Sequence, residues 1–335
     1  MNAKTKWIVI TTINVPTEAI QVISNLCKAN DWNAVVVGDL KTPKNWNYEG
    51  IKFLSVEEQT EFEHDFADLL PFNHYCRKNI GYLYAIKNGA QIILETDDDN
   101  IPHESFGVNI NKKLKGKLVS NNGWVNIYNG YSDDLIWPRG LPLNKIHTHL
   151  EYKMNEEAEC LIQQYLADDD PDVDAIFRLL FKKKYNFNNL EYPLIMSKDT
   201  WCPFNSQNTI FFKEAFSLMY LPSFVSFRMT DIWRSFVAQA ALKAHNKRFA
   251  FQNASVKQIR NDHNLMKDFD DEIIGYEENN HIKEILEKEI LKHNENNSMN
   301  LPKTAKDMWI ALIENGIIQE KEMSLINQWF KNFNV

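Results

Sequence analysis

The first hundred residues alternate between short runs typical of buried β-strands and longer segments with helical periodicity. The strand-like runs are rich in β-branched side chains, and in chain order they read KWIVITT, NAVVVGD, IKFLS and QIILET. The segments PTEAIQVISNLCKAN and NHYCRKNIGYLYAIKNGA carry apolar residues at helical spacing. This alternation predicts an α/β fold with a largely parallel sheet, helices on its faces and right-handed crossovers.

Two local signals give bounds to the predicted helices. Ser55 and Glu58 have the spacing of a capping box, so we expect a helix to begin just after Ser55. Gly89 follows the last apolar residues of the next helix, where glycine commonly ends a helix. The strand QIILET begins directly after it.

Charge and cysteine content exclude several classes of protein. The 335 residues include 45 acidic and 37 basic side chains, for a formal charge of −8. The only dense basic run is Lys182–Lys184, which disfavours non-specific nucleic-acid binding as the main role. The four cysteines are widely spaced and form no CxxC pair, which argues against a zinc site or a disulfide framework.

The remainder of the chain divides into an irregular part and a helical tail. Between Lys117 and Tyr192 the pattern is weaker, with strands expected in KLVSNNGWVNIYN and a helix in DPDVDAIFRLLFKKK. The segments QNTIFF and RFAFQ read as strands on either side of a long helix. After Gly275 the sequence looks purely helical, so we predict a catalytic domain over residues 1–275 and a helical subdomain over residues 276–335.

Three consecutive aspartates follow the strand QIILET. Since alternate strand residues point to opposite faces, Asp97 and Asp99 are expected on one side and Asp98 on the other. Two carboxylates on one side suit Mg²⁺ or Mn²⁺, which in turn bridges and stabilises a diphosphate. A solvated acidic turn is the alternative. The downstream triplet Asp168–Asp170 is expected to lack a preceding buried strand, and its context predicts the start of a helix.

The helix that leads into the aspartate strand offers cations for a diphosphate. Arg77 and Lys78 lie near its start, and Arg77, Gly81 and Tyr84 fall on one face. Glycine would leave that face open for the close approach of a ligand, and arginine can hold phosphate or sugar oxygens. An exposed surface pair, with Gly81 serving helix packing, is the alternative.

Polar residues also follow the first two predicted strands. In a parallel α/β sheet, Thr11, Thr12 and Asn14 would face a nucleotide, and Asp39 could accept hydrogen bonds from a base or a ribose. Gly-Asp also makes ordinary turns. The segment TTINVPTE lacks the glycine-rich phosphate loop expected of a nucleotidyltransferase.

Two further residues are candidates for catalysis or metal binding. Asp231 stands at the mouth of a predicted helix, either as its N-cap or as a general base that deprotonates an acceptor hydroxyl. His263 lies in the polar segment IRNDHN and is a candidate third metal ligand or phosphate contact.

A series of blocks in this chain resembles the STELLO glycosyltransferase family. They cover roughly Lys6 to Glu277, and read RKNIGYLYAIKNGAQIILETDDDN, LIWPRGLPL, DPDVDAIFRLL, PFNSQNTIFFKEAFSLMYLPSFVSFRMTDIWRSFVAQ and RNDHNLMKDFDDE. The segment RKNIGY, the DDD triplet and WPRGLPL are more distantly similar to the reversibly glycosylated polypeptides, which act as UDP-arabinopyranose mutases.

The resemblance implies a GT-A glycosyltransferase fold, Rossmann-like in its nucleotide-sugar-binding part, with a C-terminal helical extension. It implies a nucleotide-sugar donor, most simply a UDP-sugar, and a divalent ion on Asp97 and Asp99. By the same resemblance Arg77 contacts the donor, Asp231 is the acceptor-side base, and Arg139 matches the arginine that carries the sugar in the mutases. The helical tail is expected to be particular to this chain.

We therefore expect a metal-dependent transferase that moves a sugar to a hydroxyl of a glycan or lipid-linked acceptor in cell-surface polysaccharide assembly. Asp98 would face the ribose or support the metal site. Two alternatives stay open: a mutase with transient glycosylation of Arg139, and a non-catalytic scaffold that docks through helices around Trp309 and Trp329. No run is long enough to be a signal peptide or membrane span, so we expect a cytoplasmic protein with peripheral membrane or partner-protein contact through the tail.

Overall fold

A computed structural model describes residues 5–260, 264–295 and 300–335. The strands in these ranges are β1 Lys6–Thr11, β2 Trp32–Val37, β3 Lys52–Leu54, β4 Ile92–Thr96, β5 Asn100–Pro102, β6 Lys113–Val119, β7 Gly123–Trp124, β8 Tyr152–Asp168, β9 Leu194–Met196, β10 Thr200–Trp201, β11 Asn208–Phe212 and β12 Arg248–Gln258. The α-helices are α1 Glu18–Ala29, α2 Val56–Phe62, α3 His64–Ala67, α4 Lys78–Lys87, α5 Ala175–Leu180, α6 Thr230–Ala244, α7 Leu265–Glu295, α8 Leu301–Glu314 and α9 Glu322–Lys331.

Ten of the strands form one sheet in the order β3-β2-β1-β4-β11-β8-β6-β9-β12-β5. The strands β3, β2, β1 and β4 are mutually parallel, as predicted. The next strand, β11, runs antiparallel to both β4 and β8. The prediction of a largely parallel sheet is therefore correct for β1 to β4 only, within the first hundred residues, and the sheet as a whole is mixed.

Helices cover both faces of the parallel part. Ile8 and Ile10 of β1 belong to the same buried cluster as Ile20 of α1. Val9, between them, belongs instead to a cluster that contains Ile80 of α4. This alternation, which is the period-two pattern of a strand, places the sheet between α1 and α4. Because β1, β2 and β4 run parallel, their carboxyl ends lie at one edge of the sheet.

Both local signals are confirmed. The Ser55 side chain accepts from the Glu58 amide while the Glu58 carboxylate accepts from the Ser55 amide, so the capping box is complete at the start of α2. Gly89 has a φ of +83°, a left-handed conformation that glycine adopts without strain, and it follows directly after the C-cap residue of α4.

The longest strand, β8, was not predicted. Its first seven residues, Tyr152–Ala158, are mostly exposed and pair with β6, whereas Cys160–Ala167 is mostly buried between β11 and β12. Because the two halves have different burial patterns, neither alternation nor a continuous apolar run marks the whole strand.

The C-terminal helices pack into the main core. The predicted boundary between residues 275 and 276 lies within α7, which continues through it. Trp309 of α8 and Trp329 of α9 are buried in the cluster that also contains α4 and α6, and the Trp329 indole donates to the Ser217 carbonyl at 3.0 Å. Across the described ranges, no helix combines the length and the apolar character needed to cross a membrane.

Candidate active site at the carboxyl edge of the parallel strands

Two adjoining cavities open at the edge where β1, β2 and β4 end. The first has a volume of about 430 Å³ and is lined by the loops after β1 and β2 and by the segment before α4. The second, of about 220 Å³, is lined by the aspartates after β4 and by side chains from the second half of the chain. Both cavities share the lining residues Thr11, Tyr75, Asp98 and Phe227.

The predicted nucleotide residues lie together around the first cavity. Thr11, Thr12, Asn14 and Asp39 all line it. The Thr12 hydroxyl and the Asn14 side chain, the latter from Nδ2 at 3.0 Å, both donate to Oδ2 of Asp98. The loop after β1 is therefore bound to the aspartate turn, residues Asp97–Asp99. Asp98 thus contacts the loop after β1, but it also lines the second cavity together with Asp97 and Asp99. The three aspartates form a turn after β4 and do not continue the strand, so the alternation argument does not apply to them.

Asp39 connects the loop after β2 to the segment before α4. Its Oδ1 accepts from the Leu40 amide at 2.7 Å and its Oδ2 from the His74 amide at 3.2 Å. Nδ1 of His74 accepts from the Cys76 amide at 3.0 Å, which leaves a proton for Nε2 in the neutral ring. Burial lowers the pKa of His74 to about 4 despite the nearby charge of Asp39, so the imidazole is neutral at physiological pH.

Three aromatic rings form one wall of the first cavity. The His74 and Tyr75 rings are nearly parallel with centroids 5.4 Å apart, and Phe227 meets them edge-on at 5.0 and 4.9 Å. Phe227 is 43% exposed, although it is a large apolar side chain. Sequence reasoning missed this wall, because Phe227 joins the other two only through the fold, over 150 residues along the chain.

Arg77 lines the first cavity but does not lie on an open helix face. Its Nε donates to Gln59 Oε1 at 2.8 Å, and its guanidinium lies 4.7 Å from the centre of the Phe72 ring. Its buried Nη2 has no hydrogen-bond partner among the residues that the structure describes. The predicted open face at Gly81 is instead packed on the sheet, since a Cβ there would lie 2.6 Å from a Val9 methyl.

Lys78 is fully buried and lines neither cavity. Its Nζ donates to the Thr96 carbonyl at 3.0 Å and to Asp97 Oδ1 at 2.7 Å. The predicted phosphate contact through Lys78 therefore does not match its position, because the ammonium is directed at the base of the aspartate turn.

The aspartate turn directly follows β4, and Asp97, Asp98 and Asp99 all line the second cavity. The Asp97 side chain is 35% exposed. Burial raises the pKa of Asp97, the Lys78 ammonium lowers it, and the charge of Asp99 raises it further, for a net upward shift.

Among the described residues, one carboxylate oxygen of Asp99 has no hydrogen-bond partner. Its Oδ2 accepts from Gln258 Nε2 at 3.1 Å, while its buried Oδ1 makes no hydrogen bond within this part of the chain. An unpaired anionic oxygen beside a second carboxylate fits a hard divalent cation. No three His, Cys, Asp or Glu side chains of the described residues converge as a ready metal cluster, so such an ion would need oxygen ligands from a substrate or water. His263 lies outside the described residues.

Arg139 and Asp231, the two predicted catalytic residues, are bound to each other. Arg139 donates from Nη1 and Nη2 to the two Asp231 oxygens at 3.0 and 3.1 Å, and from Nε and Nη2 to Asp172 at 2.9 and 2.7 Å. Asp231 also accepts from the Ser206 amide at 3.0 Å and from the Tyr75 hydroxyl at 3.2 Å. All three charged groups are buried.

This pairing makes Asp231 a weak base. Burial by itself raises the pKa of Asp231, but the Arg139 charge and its hydrogen bonds hold that pKa well below the usual range. Asp231 is also not an N-cap, because it lies within the first turn of α6. The N-cap interpretation of Asp231 was therefore wrong, whereas the general-base interpretation stays a prediction that the ion pair with Arg139 makes less favourable.

The second acidic triplet also follows a buried strand. Asp168 is the last residue of β8, whose preceding residues Cys160–Ala167 are mostly buried, so the expectation that no such strand precedes it was wrong. The helix start predicted there is present, with Asp174 accepting from the Phe177 amide at 2.7 Å as N-cap of α5. Between the two, Asp172 lines the second cavity, which sequence reasoning missed.

Comparison with known proteins identifies a family. The family model for STELLO glycosyltransferases matches residues 228–335. This match includes the C-terminal helices, so the expectation that the tail is particular to this chain was wrong.

Two curated relatives come from Arabidopsis thaliana. "Probable glycosyltransferase STELLO2" is 30% identical over 258 residues, and "Probable glycosyltransferase STELLO1" is 30% identical over 261 residues. Each match covers 71% of this chain and 33% of the relative, so the chain spans about a third of the length of the curated relatives it matches. These matches show that the chain belongs to the STELLO glycosyltransferase family.

Proposed function

We propose that the protein is a glycosyltransferase that takes its sugar from a nucleotide-sugar donor. The observation that carries the proposal is the pair of cavities joined at Asp98. One cavity has an aromatic wall and is large enough for a nucleoside. The other has carboxylates directly after β4, where ligands of such sheets bind. The family to which the chain belongs supports the same reaction class.

The first cavity offers the groups that a nucleoside needs. The rings of His74, Tyr75 and Phe227 can stack against a base. Asp39 can accept from a ribose hydroxyl or a base N–H, and the Arg77 guanidinium lies at the wall of the same cavity. Uridine is the nucleoside that we propose, because it is the one implied by the family resemblance.

We propose that Mn²⁺ or Mg²⁺ binds at Asp97 and Asp99. The orphaned Asp99 oxygen and the partly exposed Asp97 carboxylate support this assignment. When bound, the ion would neutralise the charge of a diphosphate leaving group. Lys78 holds Asp97 in place from the protein side, and Asp98 fixes the turn against the loop after β1.

Arg139 and Asp231 take a different role in this proposal from the one predicted. A guanidinium with two buried carboxylate partners is protonated and has no nitrogen free to attack a sugar. The mutase alternative therefore loses its nucleophile. We propose that Arg139, Asp172 and Asp231 form a rigid ionic cluster that fixes the acceptor side of the second cavity.

The scaffold alternative also loses its main support. The apolar side chains of Trp309 and Trp329 are buried in the core of this chain and present no surface to a partner. The acceptor in our proposal is a hydroxyl of a glycan or a lipid-linked sugar, and cell-surface polysaccharide assembly is the pathway that we propose.

A thermal-shift screen of nucleotide sugars with and without Mn²⁺ tests the proposal, because only ligands of the folded state raise its stability. We expect UDP-sugars to raise the melting temperature, and to do so more with Mn²⁺. The Asp97→Asn, Asp99→Asn double variant should lose the metal-dependent part of the shift. A screen in which no nucleotide sugar stabilises the wild-type protein would contradict the proposal.

A further inference from the structure

Arg260 is an arginine of the second cavity to which the proposed function gives no role. It lies two residues after the end of β12, and its side chain is 11% exposed. The amide of Ile259 donates to the Asp99 carbonyl at 3.0 Å, so this segment is attached to the aspartate turn. The Gln258 side chain lies between them, at 3.1 Å from Asp99 Oδ2 and 3.4 Å from Arg260 Nη2.

Within the described ranges, no carboxylate forms an ion pair with Arg260 alone. The nearest is Asp170, with Oδ2 at 3.4 Å from Nε, and this Nε is buried without a hydrogen bond. Asp170 is already hydrogen-bonded to Arg178.

Asp172, which lines the second cavity, and Glu272, which lies behind Arg228, each form an ion pair with another arginine. Asp172 pairs with Arg139 at 2.7 Å and Glu272 pairs with Arg228 at 2.7 Å. Burial, together with the charges of Arg178 and Arg228, lowers the pKa of Arg260 to about 10, which leaves it charged at neutral pH. The guanidinium thus carries a positive charge at the wall of the second cavity, and among the described residues its buried Nε makes no hydrogen bond.

We propose that Arg260 binds a phosphate oxygen of a substrate in the second cavity. Arginine suits this task because its planar donors match phosphate oxygens in pairs. The divalent ion proposed at the aspartate turn would contact the phosphate from one side. Arg260 would contact the same phosphate from the other side. The identity of the substrate rests on the proposed function: the phosphate belongs either to the donor diphosphate or to a lipid-linked acceptor.

Calorimetric titration of the full chain with inorganic pyrophosphate, UDP, uridine and farnesyl phosphate in the presence of Mn²⁺ tests this site. Arg260→Gln removes the charge, and Arg260→Lys keeps the charge but loses the planar pair of guanidinium donors. Arg248→Gln is the matched control, because Arg248 lines a separate cavity with Glu156 and Glu157. We expect Arg260→Gln to weaken pyrophosphate binding by roughly 10- to 100-fold, which is the effect of losing hydrogen bonds to a charged group.

The two sources of phosphate give different results. If UDP binds more weakly to Arg260→Gln while uridine is unaffected, Arg260 holds the donor diphosphate. If UDP is unaffected and farnesyl phosphate binds more weakly, it holds the acceptor phosphate. Arg260→Lys should lie between wild type and Arg260→Gln, and it carries the test if Arg260→Gln fails to fold.

Two outcomes overturn the inference: unchanged affinity of all phosphate ligands in both Arg260 variants, or no phosphate binding by the wild-type protein. Failure of the proposed function looks different. In that case the wild type would bind pyrophosphate in an Arg260-dependent way but would gain no affinity from the uridine part of UDP.

Discussion

At the scale of single residues, the aspartate turn depends on a buried ion pair behind it. Glu95, two residues before Asp97, accepts from Arg234 of α6 at 2.7 and 2.8 Å, and both side chains are fully buried. The Tyr82 hydroxyl also donates to Glu95. The pair thus joins β4 to α6 directly beneath the candidate active site.

Replacing Arg234 by Leu should lower the free energy of unfolding by about 3–5 kcal/mol, because the Glu95 charge would remain buried without its partner. Chemical denaturation measures the loss. The double variant Glu95→Leu, Arg234→Leu is the control, since it removes both charges and should be more stable than the sum of the single effects predicts. Strictly additive effects would mean that the two side chains are not coupled.

His74 should make stability depend on pH. Its pKa in the folded protein is about 4, against an unfolded value near 6.5, because burial disfavours the charged ring. Below pH 6.5 the unfolded chain takes up a proton that the folded chain does not. The stability from the neutral ring is therefore fully present above pH 6.5 and is lost as the pH falls towards 4.

Comparison with His74→Gln isolates this effect, because glutamine does not titrate. We expect the wild type to lose more unfolding free energy than the variant between pH 7 and pH 4.5, as measured by denaturation at each pH. Parallel pH curves for the two proteins would show that His74 is protonated equally in the folded and unfolded states.

At the scale of elements, the turn that carries Arg139 is fitted between α6 and α7. Gly140 has a φ of +85°, and a Cβ there would lie 2.4 Å from a methyl of Ile232 in α6. The Gly140 carbonyl accepts from the Asn279 side chain of α7 at 2.8 Å. The ionic cluster of Arg139 is thus positioned by helices from the C-terminal part of the chain.

Gly140→Ala and Gly89→Ala separate backbone strain from steric clash. Gly89 has a similar φ of +83°, but apart from its neighbours in the chain no atom of the described residues lies within 4 Å of the position a Cβ would take. We expect Gly89→Ala to cost about 1–2 kcal/mol from the left-handed backbone alone. Gly140→Ala should cost roughly 1–3 kcal/mol more from overpacking. Equal losses, measured by denaturation, would contradict the tight fit at Gly140.

At the scale of the whole molecule, the parallel part of the sheet was predictable, whereas the pairing of the strands beyond β4 was not. The strands β1, β2, β3 and β4 have local signals, namely β-branched runs separated by helical segments, and their parallel order follows from those signals. The strand β8 pairs with β6, β11 and β12, which lie far from it in sequence. Such non-local pairing leaves little trace in a short window of residues.

The residues of the candidate site also differ in whether the sequence could predict them. Asp97 and Thr12 could be predicted, because each follows a recognisable strand of the parallel half. Phe227, Asp172 and Arg260 could not, because they reach the cavities from segments whose positions are set only by the complete sheet. Asp231 was recognised as a residue of the site, but its ion pair with Arg139 depends on a contact over 92 residues of chain.

The central claim is that a divalent ion on Asp97 and Asp99 links a nucleoside diphosphate to this chain. Calorimetric titration of UDP into the wild-type protein, with Mn²⁺ and then with EDTA, tests it most directly, alongside the Asp97→Asn, Asp99→Asn double variant. We predict that removing either the metal or the two carboxylates weakens UDP binding at least about tenfold, or 1.4 kcal/mol. UDP affinity that is the same in all three experiments, or absent in the first, would contradict the account.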